Sequence, residues 1–127
     1  MRKDKVLLVE DDSTLAFIIA DALRREGFDV VCAADGEAGL EAVAASLPDV
    51  VVADVMMPRM SGYEMVRRIR AANPSMPVLF LTARTSIDDL LKGYESGGND
   101  YMRKPFQLAE LNGRIKAGLL YTSPSPR

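Results

Sequence analysis

The sequence predicts an α/β fold in which helices cover both faces of a parallel β-sheet. Short apolar runs alternate along all 127 residues with segments whose apolar residues recur at helical spacing. Several runs are apolar throughout, which is typical of strands that are buried on both faces. A chain of 127 residues, 48% hydrophobic and 27% charged, also has the size and composition of a single globular domain.

Five apolar runs predict the strands of this sheet. In chain order they are Lys5–Val9, Asp29–Ala33, 50–53, Val78–Thr82 and 100–102. The third run contains only valine and alanine, so we expect its strand to be central and buried on both faces. The chain has a single cysteine, Cys32. Its neighbours in the sequence are apolar, which predicts a small buried side chain rather than a reactive thiol.

Five amphipathic segments predict the helices. They are 14–26, 36–46, 62–72, 86–96 and a last helix that begins near residue 108. Asp12 or Ser13 would cap the first helix and Gly27 would end it. Prolines at positions 48 and 74 would stop the second and third helices. The apolar positions of these segments are Leu15, Ile18, Ile19, Ala22, Leu23, Leu40, Val43, Leu47, Met65, Val66, Ile69, Ile87, Leu90, Leu91, Tyr94, Leu111, Ile115 and Leu119.

Right-handed crossovers between parallel strands restrict the order of the strands. The expected order is 2-1-3-4-5, which gives a flavodoxin-like (βα)5 three-layer sandwich. In this order the chain reverses direction between the first and third strands, and ligands of open α/β sheets bind at the carboxyl ends of the strands there. Glu10, Asp11 and Asp54 follow or end those two runs, so we expect them to meet in one crevice.

Charge and composition exclude several classes of function. The 16 basic and 18 acidic residues give a net charge of -2, without the basic excess that is typical of nucleic-acid binding. No apolar run approaches the roughly 18 residues of a membrane span, and no signal peptide is recognisable, so we expect a cytoplasmic protein without membrane contact. The chain has 0 histidines, which excludes Ser-His-Asp catalysis, histidine-ligated zinc and a phosphohistidine on this chain.

The acidic crevice predicts a magnesium site. Crowded carboxylates repel one another unless a cation lies among them. Mg²⁺ takes oxygen ligands and usually keeps several waters beside one or two carboxylates. We therefore expect Asp11, Asp54 and the backbone carbonyl of Met56 to bind Mg²⁺, with Glu10 holding a metal-bound water.

Asp54 is the predicted nucleophile, because carboxylates form aspartyl phosphates. Lys104 would place a cation and Thr82 a hydroxyl donor beside the transferring phosphoryl group. A purely structural explanation also exists for each residue. Residues 10–12 would cap the first helix, Asp54 would form an ion pair with Lys104, Thr82 would be an ordinary strand residue, and Tyr101 would be a core aromatic.

Taken together, these residues resemble the receiver domain of bacterial two-component response regulators, the CheY-like family. The resemblance covers about residues 3–120. It rests on the acidic pair Glu10-Asp11, the acceptor Asp54 followed by Met-Met-Pro-Arg-Met-Ser-Gly, Thr82-Ala83, Tyr101 and Lys104-Pro105-Phe106.

The resemblance implies a mechanism for these residues. Asp54 would be phosphorylated from the phosphohistidine of a partner histidine kinase, with Mg²⁺ bound by Glu10 through water, Asp11, Asp54 and the Met56 carbonyl. Lys104 would contact the phosphoryl oxygens, Thr82 would turn toward them, and Tyr101 would rotate inward behind Thr82. A cis Lys104-Pro105 peptide bond is also implied.

The sequence after Tyr101 resembles the winged-helix transcription-factor type of response regulator. That type implies a phosphorylation-dependent homodimer through the fourth helix, fifth strand and fifth helix, with ion pairs across the interface. Asp100 and Arg114 match one such pair, whereas Leu90 and Asn99 stand where the pattern has charged residues. DNA would be bound only through a C-terminal domain that this sequence lacks. We expect a receiver domain at 1–120 and a tail or linker remnant at 121–127.

Other functions are compatible with parts of the pattern. A stand-alone CheY-like switch would act by protein binding. A magnesium-dependent phosphatase with an aspartyl nucleophile usually has a second acid two residues after that nucleophile, where this chain has Met56. A flavodoxin-like cofactor binder needs a phosphate-binding loop after the first strand, where Glu10, Asp11 and Asp12 would repel phosphate. We expect a signalling switch rather than an enzyme.

Overall fold

A computed structural model of the protein describes residues 3–82, 91–92, 95, 97 and 100–122. The strands are β1 (Lys5–Val9), β2 (Asp29–Ala33), β3 (Val50–Asp54), β4 (Val78–Thr82) and β5 (Asp100–Arg103). The helices with described bounds are α1 (Ser13–Arg25), α2 (Gly36–Ser46), α3 (Gly62–Ala72) and α4 (Leu108–Thr122). Here α4 is the fifth helix of the sequence prediction, because most of the predicted fourth helix, 86–96, lies outside the described residues.

The five strands form one parallel sheet in the order β2-β1-β3-β4-β5. This confirms the order expected from right-handed crossovers. Strand β3 lies between β1 and β4, and all of its residues are buried, as its uninterrupted apolar run predicted.

Each face of the sheet carries its own hydrophobic core. Helices α1 and α4 pack on one face through Ile19, Leu23, Leu111 and Ile115. Helix α3 packs on the other face through residues that include Met65, Val66 and Ile69, and partly buried residues of α2 join them. The two layers hold the sheet rigidly, so the positions at its carboxyl edge are well defined.

Polar caps begin three of these helices. The side chains of Asp12, Asp35 and Ser61 accept backbone N–H groups in the first turns of α1, α2 and α3. Gly27 follows the end of α1 with a φ of 100°, which glycine adopts without strain. Asp12 therefore does cap α1, as one of the two expected residues.

Several predicted side chains are placed differently from expectation. Cys32 is exposed, because it lies near the end of the edge strand β2, where little of the chain covers it. Ile18 and Leu91, expected on the inward stripes of their helices, are 48% and 51% exposed, and Leu47 is 73% exposed after the end of α2. Helix α4 extends to Thr122, two residues into the segment predicted as a tail, and residues 123–127 lie outside the described part.

Within the described ranges, none of the helices has the length and apolar character that crossing a membrane would require.

Candidate functional site

Polar residues lie at the carboxyl ends of four strands, all at one edge of the sheet. Glu10 follows β1, Asp54 ends β3, Thr82 ends β4 and Lys104 follows β5. Glu10, Asp54 and Thr82 are 2%, 7% and 0% exposed. The structure therefore brings these residues together, as the sheet order predicted.

The ammonium group of Lys104 lies between two carboxylates. Its Nζ donates hydrogen bonds to Glu10 Oε1 at 3.0 Å and to Asp54 Oδ2 at 3.3 Å. The sequence predicted only Asp54 as the partner of Lys104. The contact with Glu10 was not predicted, because the apolar runs do not show how close the end of β1 lies to Lys104 in the folded chain. Lys104 thus offsets part of the negative charge that the sheet gathers here.

Backbone N–H groups hold the other oxygen of each carboxylate. The Asp12 N–H donates to Glu10 Oε2 at 3.2 Å, and the Met56 N–H donates to Asp54 Oδ1 at 3.2 Å. Each buried carboxylate is therefore bound by an ammonium group on one oxygen and by an amide on the other. This arrangement fixes the orientation of the Asp54 carboxylate, which a nucleophile requires.

Burial and like charge perturb the protonation of this cluster. Burial raises the pKa of Glu10 to about 7, against the lowering effect of its hydrogen bonds to Lys104 and Asp12, and the charge of Asp54 raises it further. Burial works against the charge of Lys104, but its hydrogen bond to Glu10 and the charge of Asp54 outweigh burial, so the pKa of Lys104 is raised. Lys104 thus stays charged, while burial favours the protonated form of Glu10.

Asp11 completes a set of carboxylates suited to a metal ion. One oxygen each from Glu10, Asp11 and Asp54 lies within 4.8 Å of the others, with Asp11 exposed and the other two buried. A group of oxygen donors that is open to solvent on one side suits Mg²⁺, which keeps several waters. These residues fit the predicted ion, whereas the carbonyl ligand from Met56 stays a prediction.

The loop after β3 returns to Asp54 at Gly62. The Gly62 N–H donates to the Val55 carbonyl at 2.9 Å. A Cβ at position 62 would lie 2.3 Å from the Asp54 carbonyl oxygen and 3.1 Å from Val55 Cα, so only glycine allows this approach. Helix α3 begins at Gly62, and its first turn is therefore fixed against the backbone of Asp54.

The remaining predicted residues lie around this centre. Thr82 is fully buried, and its carbonyl accepts the Lys104 N–H at 2.8 Å. The Lys104-Pro105 peptide bond is cis, as the resemblance implied. The Met56 side chain is 53% exposed beside Asp54.

Tyr101 lies on the α3 side of the sheet and has a partner that the sequence did not indicate. Its hydroxyl forms a hydrogen bond with the hydroxyl of Tyr63, in the first turn of α3. Phe80 contacts both rings, with centroid distances of 5.3 Å to Tyr63 and 5.7 Å to Tyr101. No pattern in the sequence could have found this pair, because position 63 was not among the predicted inward residues of α3.

Arg114 forms an ion pair within this chain. Its guanidinium contacts Asp100 Oδ1 at 2.8 Å and Glu110 Oε2 at 3.2 Å, and it also donates to the Tyr101 carbonyl at 3.3 Å. Asp100 and Arg114 were expected to match a pair across a dimer interface. In the single chain they bind each other instead.

Comparison with known proteins identifies the family. The sequence model described as "Response regulator receiver domain" matches residues 6–116. The chain belongs to this family. Its membership confirms the resemblance and the fold class expected from the receiver domain motifs.

The relatives of this receiver domain include regulators of transcription. It is 43% identical over 117 residues to "Probable transcriptional regulatory protein TcrX" of Mycobacterium tuberculosis, covering 92% of this chain and 50% of that protein. It is 42% identical over 120 residues to "Response regulator MprA" of Mycobacterium leprae, covering 94% of this chain and 53% of that protein. The chain therefore spans about half the length of these curated relatives.

A solved structure supports the same assignment. The receiver domain of Francisella response regulator 1452 superposes with a TM-score of 0.89 at 33% sequence identity, covering 95% of this chain and 100% of that one. The carboxyl edge described above therefore lies in a receiver domain of a two-component response regulator.

Proposed function

We propose that this receiver domain is a phosphoacceptor switch in which Asp54 accepts a phosphoryl group from the phosphohistidine of a partner histidine kinase. One observation carries the proposal: the buried Asp54 carboxylate is held by Lys104 and by the Met56 amide within a group of three carboxylates suited to a divalent cation. The absence of histidine from the chain fits a donor on another protein.

The chemistry requires positioning and charge neutralisation rather than a proton relay. A carboxylate oxygen of Asp54 forms a bond to phosphorus, while the bond from phosphorus to the donor imidazole nitrogen breaks and that nitrogen keeps the electron pair. Mg²⁺, bound at Glu10, Asp11, Asp54 and the Met56 carbonyl, would neutralise the negative charge of the phosphoryl group. Lys104 supplies a fixed positive charge from the chain itself, 3.3 Å from Asp54 Oδ2.

Thr82 and Tyr101 would transmit the change. The Thr82 hydroxyl would donate to a phosphoryl oxygen, and Tyr101 would rotate inward behind it. The Thr82 carbonyl already accepts the Lys104 N–H, so a shift at the end of β4 would also act on Lys104 and β5. The output surface would then comprise the predicted fourth helix, β5 and α4.

The output that we propose is control of transcription. The two relatives compared above are about twice as long as this chain, and one is named as a transcriptional regulatory protein. We propose that residues 1–120 form the receiver unit, that 121–127 belong to a tail or linker, and that DNA is bound only by a further domain. The receiver unit itself has no basic excess with which to bind DNA.

Labelling of Asp54 tests the phosphoacceptor. With acetyl phosphate and Mg²⁺, intact-mass spectrometry should show one added phosphoryl group on the wild-type protein and none on Asp54→Asn. Asp12→Asn is the matched control, because asparagine retains the oxygen that accepts the Thr14 and Leu15 N–H groups at the start of α1. Full labelling of Asp54→Asn would refute the assignment of the acceptor.

We further propose that the phosphorylated protein dimerises through the output surface. Asp100 and Arg114, paired within one chain here, would exchange partners across that interface. With Mg²⁺ and beryllium fluoride as a phosphoryl analogue, sedimentation should detect dimers of the wild type that are weakened in Arg114→Ala. Arg68→Ala is the matched control, because that arginine pairs with Glu64 on α3. An Arg114→Ala protein that dimerises like wild type would contradict this interface.

A further inference from the structure

Two tyrosine hydroxyl groups join α3 to β5 across the sheet core. Tyr63 is 9% exposed, Tyr101 is partly buried, and their hydroxyls share a hydrogen bond. Phe80 packs edge-on against Tyr63, with an interplanar angle of 73°, and is tilted by 53° relative to Tyr101. A phenylalanine at either position would keep the ring contacts and remove this bond.

On one side this bond leads to the backbone of Asp54. Tyr63 directly follows Gly62, which has no room for a side chain against the Asp54 carbonyl. Gly62 is also bonded to Val55 by its N–H. The first turn of α3 therefore cannot shift without moving the backbone beside Asp54, and the Tyr63 ring is part of that turn.

On the other side the bond leads to the surface of β5 and α4. The Tyr101 N–H donates to Asp100 Oδ1 at 2.7 Å, and the Tyr101 carbonyl accepts from Arg114 at 3.3 Å. A change at the Tyr101 side chain thus acts on a residue whose backbone is bonded to both members of the partly buried ion pair of Asp100 and Arg114.

We propose that Tyr63 is a positioning residue, which holds the Tyr101 ring against Phe80 through the hydroxyl–hydroxyl bond and so joins the Asp54 loop to the output surface. This rests on the proposed function for the role of Tyr101 in signalling. The orientation of the ring in the unphosphorylated protein does not depend on the proposed function, because the bond from Tyr63 acts on it directly.

The orientation is measured first in the free protein. In a sample with ¹³C-labelled aromatic rings, nuclear Overhauser contacts and χ1 couplings give the ratio of Tyr101 rings packed against Phe80 to rings turned away from it. This ratio should fall about two- to tenfold in Tyr63→Phe, the change in an equilibrium constant expected from loss of one hydrogen bond. The contact between ring 63 and Phe80 is the internal control and should persist, because the ring remains. An unchanged ratio would overturn the proposal.

A double-mutant cycle shows whether the bond itself is responsible. Tyr101→Phe removes the other hydroxyl and should also lower the ratio of rings packed against Phe80 to rings turned away. The double variant should then show less than the sum of the two single effects, because this bond can be lost only once. Additive effects of the two substitutions would overturn the proposal, since they would mean that the hydroxyls act separately.

The functional consequence is measured with Mg²⁺ and beryllium fluoride. Amide exchange in β5 and α4 should respond to the analogue in the wild type and respond at least about twofold less in Tyr63→Phe. An equal response in both proteins would contradict the coupling part of the proposal. A wild type that fails to bind the analogue would instead refute the proposed function, whereas the ring measurement in the free protein would still decide the role of Tyr63.

Discussion

At the scale of single residues, the site is defined by an imbalance of charge. Two buried carboxylates, Glu10 and Asp54, share one ammonium group, and the carboxylate of Asp11 lies beside them. Burial of charge without full pairing is unfavourable, and the raised pKa of Glu10 expresses that cost. The folded protein thus tolerates a strained electrostatic arrangement at the position where a cation and a phosphoryl group would bind.

The protonation of Glu10 predicts how stability depends on pH without metal. Its pKa rises from the ordinary 4.5 to about 7 on folding, so the folded protein holds more protons than the unfolded chain between these values. The free energy of unfolding should therefore decrease as pH rises from about 4.5 to about 7, by about 3 kcal/mol, and this contribution should be level above that range. Urea denaturation in the presence of EDTA measures the effect.

Two controls isolate Glu10 as the cause. Glu10→Gln should remove most of this slope, because glutamine does not titrate. Mg²⁺ should also reduce it in the wild type, since a bound cation favours the charged carboxylate. If Glu10→Gln retained the full slope, another group would be responsible and the protonation described for Glu10 would be wrong.

At the scale of elements, the loop between β3 and α3 packs closely against the backbone of Asp54, because Gly62 has no side chain. Gly62 lies against the carbonyl of Asp54, so the loop, the start of α3 and Asp54 form one unit. Close contacts with backbone atoms cannot be relieved by a change of rotamer. A side chain is therefore tolerated much less at position 62 than at a glycine position on an open helix surface.

Gly62→Ala should destabilise the protein, because its Cβ would lie 2.3 Å from the Asp54 carbonyl oxygen. The expected loss is about 1–3 kcal/mol or more in the free energy of unfolding, measured by urea denaturation. Gly113→Ala on α4 is the matched control, because its Cβ would meet nothing within 4 Å. That variant should gain about 0.5–1 kcal/mol from alanine's helix propensity. Equal stability of the two variants would contradict the close approach at Gly62.

At the scale of the whole molecule, a cation would bind residues from two distant parts of the chain. Glu10 and Asp11 follow β1, and Asp54 ends β3, so these ligands meet only when β1 and β3 are paired. A metal ion that binds only the folded arrangement stabilises the whole domain by mass action. Metal affinity and global stability would therefore be linked in this protein.

Mg²⁺ should raise the thermal unfolding midpoint of the wild type. At a concentration about tenfold above its dissociation constant, the ion should add about 1.4 kcal/mol to the free energy of unfolding. Asp11→Asn should lose most of this gain, because it removes a charged ligand from the cluster. Asp12→Asn should keep the gain, since Asp12 caps α1 and is not part of the cluster. A gain in Asp11→Asn as large as in the wild type would rule out Asp11 as a ligand.

Much of the fold could be predicted because hydrophobic periodicity is written directly in the sequence. The uninterrupted apolar run of β3 indicated a central strand that is buried on both faces. The right-handedness of crossovers between parallel strands then left few possible strand orders. Exposure was harder to predict. Ile18 is 48% exposed and Cys32 is exposed, because coverage at the ends and edges of elements depends on what packs there rather than on local pattern.

The sequence by itself determined the parallel sheet, the position of Glu10, Asp11, Asp54, Thr82 and Lys104 at its carboxyl edge, and the family to which they belong. These follow from short-range pattern and from a topology with few alternatives. Only the tertiary structure decided that Lys104 bonds to Glu10 as well as Asp54, and that Tyr63 meets Tyr101. Such contacts join residues far apart in the chain, and their geometry is set by the packing of whole elements, which no local pattern encodes.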